Sequence, residues 1–473
     1  MILIIIFFMN SIFEGITAGD TNRETLNSSN NNIEWIQEVG NDGDTLAGGF
    51  GTSSNMATRG IEIFKGELYI GTQNFDIEKL RIFYPKIWVT IGLMSYKIFE
   101  NYGQNNFLLK IINLGVPFHG LFGKGCDVWK YNYSNDQWIP IISDNEGATL
   151  PSGFGHHSNF GAAIIKSFQD DLYVGTAASS TSGCEVWRWD GLNWDMVIGE
   201  GFGDRFNSGA WSVAEYNNEL YLGTMNWNAG CQIWKTGDGE NWEKVVLPGG
   251  DGFGTIWNVY AWSMGIYNDS LYVGTCNINR SQGCQLWRFD GSQWFKVNLP
   301  DGDGFGEPDN YGIRNIIEYN NEMYVSTATN YVHSDSACEI WRYNGNDWFQ
   351  IIGDENDLGD GFGNLYNKYA WSMIKTSDDK LMVGTFNILP LTNGFPFDTN
   401  GCEIWSYDGY NWIELIGKNG SDQVDGGFGN RFNFGARSMI EYPENSGIIW
   451  VGTWNLDVNN FKIFTGCEIW RRM

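Results

Sequence analysis

Proline is scarce in this chain, 10 of 473 residues, and charged residues make up only 18%. A composition so poor in both, and so rich in aromatics, excludes a disordered tail or a coiled coil. Basic residues are few: 29 Lys and Arg stand against 56 Asp and Glu, a net charge of −27. That surface repels phosphate backbones and anionic headgroups, so nucleic acid is not an expected partner. Histidine is rarer still. None of the four, His119, His156, His157 and His333, lies beside a Ser or Cys in a nucleophile motif, which leaves triad chemistry without support. No apolar run approaches the ~20 residues of a spanning helix. The mature chain is therefore expected to have no transmembrane segment, and to be a monomer.

What is abundant is Gly (61), Phe (30), Trp (23) and Tyr (22). They are arranged in three short words, each recurring seven times. The first, Gly-Phe-Gly-x-x-x-Asn, has its Phe at 50, 154, 202, 253, 305, 362 and 428 and its Asn at 55, 159, 207, 258, 310, 367 and 433. The second, typified by LYVGT, places Gly at 71, 175, 223, 274, 384 and 452, with Ser326 in the fifth copy. The third, Gly-Cys-acid/Gln-aliphatic-Trp, has cysteines 126, 184, 231, 284, 338, 402 and 467. Between the words run short β-branched and aromatic stretches bounded by Asn, Asp and Gly turns, which predicts four strands per repeat. The last five Phe-to-Phe spacings, 48 to 66 residues, suit four-stranded propeller blades. The expected fold is all-β, a seven-bladed β-propeller spanning residues 33–473.

Six third words are followed by a Trp that begins a fourth strand: Trp138, Trp194, Trp242, Trp294, Trp348 and Trp412. The seventh is not, but an unpaired copy of the missing piece lies at Ile33–Val39, around Trp35. The N-terminal strand is thus expected to complete the last blade and remove its open edge.

Ahead of it, residues 2–9 (ILIIIFFM) and a small-residue stretch ending at Gly19 read as a signal peptide (1–19), followed by a polar linker (20–32). The alternative is a buried apolar strand. Export to the cell surface or medium fits the Asn-x-Ser triplets at Asn27, Asn132, Asn268, Asn279 and Asn419. Blade one carries an insertion (75–124) with six basic and three acidic residues. It reads as a lid, a docking arm or an interfacial anchor, or as a segment without a role of its own.

The turn words Trp189-Asp-Gly-Leu-Asn-Trp194, Phe289-Asp-Gly-Ser-Gln-Trp294 and Tyr407-Asp-Gly-Tyr-Asn-Trp412, with Thr236-Gly-Asp-Gly-Glu-Asn-Trp242, resemble the Asp-box hairpins of sialidase-like propellers. LYVGT resembles the regulator-propeller repeat. The resemblance implies a propeller fold, with the Asp box as a structural turn remote from any active centre.

Repetition also separates architecture from function: a residue that every blade carries is one that every blade needs, whereas a ligand site breaks the symmetry. By this rule the GFG phenylalanines, their asparagines and the paired tryptophans are structural. The repeat cysteines read as buried free thiols, and Cys276, outside the pattern, is the expected bridge partner of Cys284. Calcium is a minor candidate cofactor, at Asp301-Gly-Asp303 or Asp354-Glu-Asn356-Asp357; no other cofactor is indicated. One aligned position at the start of the innermost strand does vary: Arg59, Ala163, Trp211, Trp262, Arg314, Trp371 and Arg437. Indole faces stack on sugars or cations and guanidinium forks bind carboxylate or sulfate, so these residues are expected to ring the channel mouth. Asn74, Asn226, Asn277, Asn387 and Asn455, in the following loop, are expected to join them. The functional expectation is a secreted or cell-surface protein that binds a glycan or protein on this face. The alternative is a glycoside hydrolase or lyase working with paired carboxylates in the same funnel.

Overall fold

Asparagine pairs such as Asn217-Asn218 and Asn320-Asn321 adopt positive φ (52° and 60°, 52° and 61°). Two successive left-handed residues make the tight turn that joins right-twisted antiparallel strands. In the computed structural model, which describes residues 26–27, 33–40, 46–74, 123–178, 182–331, 334–388, 399–455 and 465–473, such hairpins recur along the whole chain. The expected signal peptide, most of the polar linker and of the insertion, His119 and His333 lie outside the described residues.

One four-strand ladder serves as the pattern: Asn258–Tyr267, Ser270–Asn277, Leu286–Phe289 and Trp294–Lys296, each antiparallel to the one before. The same ladder recurs seven times, and every first strand starts at the Asn of the first word. The end of each second strand touches the next unit's first strand through a single bridge, for example Met225↔Tyr260 and Cys276↔Gly312. The bridge Trp454↔Ala57 joins the seventh unit to the first. The result is one closed, all-β sheet with no α-helix among the described residues. In the seventh unit the fourth place is taken by Glu34–Val39, paired with Ile469–Arg472. The expected N-terminal closure is therefore present.

Each unit is held by the same two devices. The GFG phenylalanines all sit at positive φ, between 55° and 62°. That conformation costs a bulky residue ~1–3 kcal/mol. It persists because the ring lies flat on the third-strand indole and edge-on to the fourth-strand indole, as Phe253 does on Trp287 (4.5 Å, 11°) and Trp294 (5.3 Å, 73°). Burial and aromatic stacking together offset the strain, at ~1.5–3 and ~0.5–1.5 kcal/mol. Phe428 makes these contacts with Trp470 and Trp35, so the N-terminal tryptophan fills the seventh socket.

The second device is a hydrogen-bonded latch. The Asn side chain of each first word donates to the backbone of its own GFG turn, Asn310 Nδ2 to Gly304 O at 3.1 Å, and to the acid or glutamine after the cysteine, Glu339 Oε2 at 2.8 Å. The cysteine backbone clamps the following unit: Cys284 N donates to Asn310 O (2.9 Å) and Gly304 N donates to Cys284 O (2.8 Å). All eight cysteines are buried and unbridged. The expected Cys276–Cys284 disulfide is absent, since Cys276 sits in the ladder opposite Tyr260 and Gly312.

The latch acids are buried, and burial pushes the Glu339 carboxyl up to about 8. A carboxyl raised above its unfolded value of 4.5 favours the fold when protonated. Its contribution is complete at low pH and is lost as pH climbs from about 4.5 to 8. Units three and four carry Gln232 and Gln285 at this place. Glu339→Gln, which keeps an acceptor for Asn310 and Trp341, should therefore stabilise the protein by roughly 4 kcal/mol at pH 8 and by nothing at pH 4. Urea melts at the two pH values test this, and an equal effect at both would refute it.

Candidate functional site

The position that varies among the units lies four residues beyond the latch asparagine, and in every unit the strand pairing slips there. The ladder skips from Ala210 to Ser212, Ala261 to Ser263, Ile313 to Asn315, Ala370 to Ser372 and Ala436 to Ser438. It does the same around Ala163, and in the first unit passes over both Arg59 and Gly60. A bulge leaves one residue unpaired and re-aims its side chain. Here it turns Arg59, Ala163, Trp211, Trp262, Arg314, Trp371 and Arg437 toward the axis, where all seven line one central cavity of about 350 Å³. The seven residues share one cavity, which does not lie at the strand entry: four residues at ~3.3 Å each set them ~13 Å along the strand.

The arginines and tryptophans are arranged together. Arg59 lies 4.2 Å from the Trp211 ring centre, across the small Ala163, and its Nε donates to Gln73 Oε1 at 2.6 Å. Arg314 is held between Trp262 (4.8 Å) and Trp371 (5.7 Å), and Arg437 packs over Trp371 (4.7 Å) and Trp454 (5.2 Å). The indole faces thus carry the protein's own cations. Glycines make room for this: a Cβ on Gly312 would lie 2.1 Å from the Trp262 ring, and one on Gly435 2.7 Å from that of Trp371. Above the ring, Tyr260, Tyr311, Tyr369, Phe386 and Phe434 form an aromatic layer, in which the hydroxyls of Tyr311 and Tyr369 are hydrogen-bonded to each other.

Among the described residues no Asp or Glu lines the cavity and no carboxylate pairs with Arg59, Arg314 or Arg437. Burial lowers Arg59 to about 9 and Arg314 to about 10; Arg437 is lowered by burial and by the Arg59 and Arg314 charges. Even so displaced, Arg59 and Arg314 stay protonated at neutral pH, and a guanidinium does not give up its proton inside a protein. The arrangement concentrates positive charge on an otherwise acidic molecule. Among the described residues, this wall carries no pair of carboxyls ~5 to 9 Å apart of the kind a glycoside hydrolase uses.

No protein-family model matches the chain, and no curated protein matches it in sequence. Solved structures do resemble it. An α-L-arabinofuranosidase from Clostridium thermocellum is 14% identical over 52% of this chain and 89% of its own, with a TM-score of 0.30. A Trypanosoma rangeli sialidase is 10% identical over 65% and 54%, with a TM-score of 0.38. An Aleuria aurantia lectin is 9% identical over 76% and 94%, with a TM-score of 0.36.

The loop asparagines do not belong to the ring. Asn226, Asn277, Asn387 and Asn455 are buried, and each donates from Nδ2 to the latch asparagine of its own unit at 2.9 Å; Asn74, also buried, stands opposite Asn55. In the fifth unit Thr329 makes the equivalent bond to Asn310. They brace the turn, which explains their recurrence. The calcium expectation gains nothing from Asp303, whose carboxylate holds Lys296 and Gln285, and no cluster of three or more metal-ligating side chains occurs among the described residues. His156 is engaged with Glu185 at 2.6 Å. The Asp-box-like turns hold their own backbone, Asp238 accepting from Glu240 N and Asn241 N, and none of them lines the cavity.

Two participants escaped the sequence reading. Gln73 and Trp454 occupy the position just after the Gly-Thr of the second word, where the units carry Gln73, Ala177, Met225, Cys276, Ala328, Phe386 and Trp454. That position also varies from unit to unit, so the symmetry argument applied there finds both.

Proposed function

We propose that the chain is a seven-bladed β-propeller, secreted or held at the cell surface, that binds an extracellular ligand, a glycan or a protein, at its central cavity. The observation that carries this reading is where the variation falls. Phe, Asn, Trp and Cys are repeated to hold seven ladders alike, whereas the bulged position differs from unit to unit and lines a single cavity. The cavity's volume lies at the lower end of the range for small-ligand sites, which suits the end group of a larger ligand. Export is supported by the apolar leader and the Asn-x-Ser triplets.

The test is a glycan-array screen of the wild type beside Arg437→Ala and Trp262→Ala, with thermal unfolding measured on all three. Signal lost at equal stability supports the site. A wild type that binds no glycan, and that captures no protein when immobilised in extracellular fluid, overturns the reading.

A further inference from the structure

The ring is unusual in what it withholds. The chain has almost twice as many acids as bases, 56 to 29, and elsewhere it spends them freely on its cations: Arg471 on Glu38 at 2.7 Å, Arg472 on Asp422 at 2.8 Å, Arg188 on Glu240 at 2.7 Å. The three ring arginines receive no carboxylate among the described residues. Arg314 Nε is buried without any hydrogen-bond acceptor, and Arg59 Nε has only the neutral Gln73. All three line the central cavity.

Three like charges facing one another in that setting raise the energy of the empty site. The indole faces compensate only in part, since a ring quadrupole attracts a cation less strongly than a countercharge does. Nor is this ring well built for a neutral sugar, because Trp211, Trp262 and Trp371 already carry guanidiniums on their faces. What the site lacks is negative charge with several acceptor oxygens, which a guanidinium fork meets two at a time.

We propose that the cavity binds a compact oxyanion carrying at least two negative charges, a phosphate, a sulfate or a small polycarboxylate, with Arg59, Arg314 and Arg437 as its ligands. This rests on the ligand-binding reading above and specifies the group that enters first. The anion supplies the countercharge that the fold leaves out, so binding and stability are linked.

The experiment is calorimetric titration of the full chain, with thermal unfolding in parallel, against inorganic phosphate, sulfate and citrate at ionic strength held constant with sodium chloride. At least one of the three should bind saturably with one site per chain and raise the Tm; which one does so distinguishes phosphoryl, sulfuryl and carboxylate sources. Arg314→Met and Arg437→Met should weaken that binding at least tenfold while melting no lower than wild type in anion-free buffer. Arg437→Lys, which keeps the charge but not the fork, should fall between. No saturable heat with any of the three anions, or binding unchanged in both methionine variants, overturns the proposal. A neutral glycan bound on the array through Trp262 and indifferent to all three arginines would overturn it while leaving the ligand-binding reading intact. Anion binding without any glycan or protein ligand would do the reverse.

Discussion

Deleting residues 33–40 should yield a protein that aggregates or melts without a cooperative transition. The segment contributes a whole strand: Trp35, Ile36, Gln37 and Val39 pair with Arg472, Arg471, Trp470 and Ile469. Trp35 is 1% exposed, its ring is set against Phe428, and its Nε1 donates to Asp422 at 2.9 Å. Without the segment the seventh unit ends at Ile469–Arg472 with a bare edge, the geometry that recruits other chains. Arg471 would also lose its partner Glu38. The milder Trp35→Ala should cost ~3–5 kcal/mol, the usual range for emptying a tryptophan socket. Circular dichroism melts and size-exclusion profiles are sufficient, and an unchanged melting curve for the deletion would rule out the closure as a structural necessity.

A comparable loss is expected from one amide. Asn433 is fully buried; its Nδ2 donates to Gly427 O at 3.0 Å and Glu468 Oε2 at 2.6 Å, and its Oδ1 accepts from Thr453 Oγ1 at 3.0 Å and Asn455 Nδ2 at 2.9 Å. Asn433→Ala removes every one of these and leaves the buried Glu468 carboxyl short of a donor. A hydrogen bond is worth ~0.5–1.5 kcal/mol net, and an orphaned buried group costs more. The expected destabilisation is roughly 3–5 kcal/mol. Asn419→Ala, the same change at an exposed position, should stay within ~0.5 kcal/mol. Denaturant melts of the two variants should differ clearly; a small effect at Asn433 would mean that the turn is held by its aromatic stack instead.

The repeating framework was legible because its residues are indispensable to each unit separately. Phe, Asn and Trp recur where a left-handed turn, a latch and a stack recur, and the displaced fourth strand announced itself by a tryptophan without a partner. The ring residues were legible for the opposite reason, as exceptions to the repeat. Their depth was not, because a bulge absorbs its extra residue without leaving a mark in the sequence: Trp211 and Trp262 were placed at the entry of the inner strand, and only the slip in pairing beside them sets them deeper. Asn226 and its equivalents were misassigned because a polar residue after a strand suggests a loop facing solvent, whereas here the amide turns inward to a neighbour of its own kind. Cys276 misled through proximity in the chain to Cys284. That no described carboxylate reaches the three arginines had no signature at all, since it depends on which acids the closed ring keeps away.

The closure also sets a schedule for the making of the protein. Trp35 and its partner strand at Ile469–Arg472 are separated by more than 430 residues of chain. At ~5–20 residues per second, the ribosome needs roughly 20 to 90 s to deliver the second after the first. Through that interval six units can assemble in order, each latching onto the one before, while the strand around Trp35 has no sheet to join. The first unit to appear in synthesis thus keeps an open flank until the seventh has emerged. The final strand pairing therefore waits for the seventh unit, which gives any helper that shields unpaired edges a defined window in which to act.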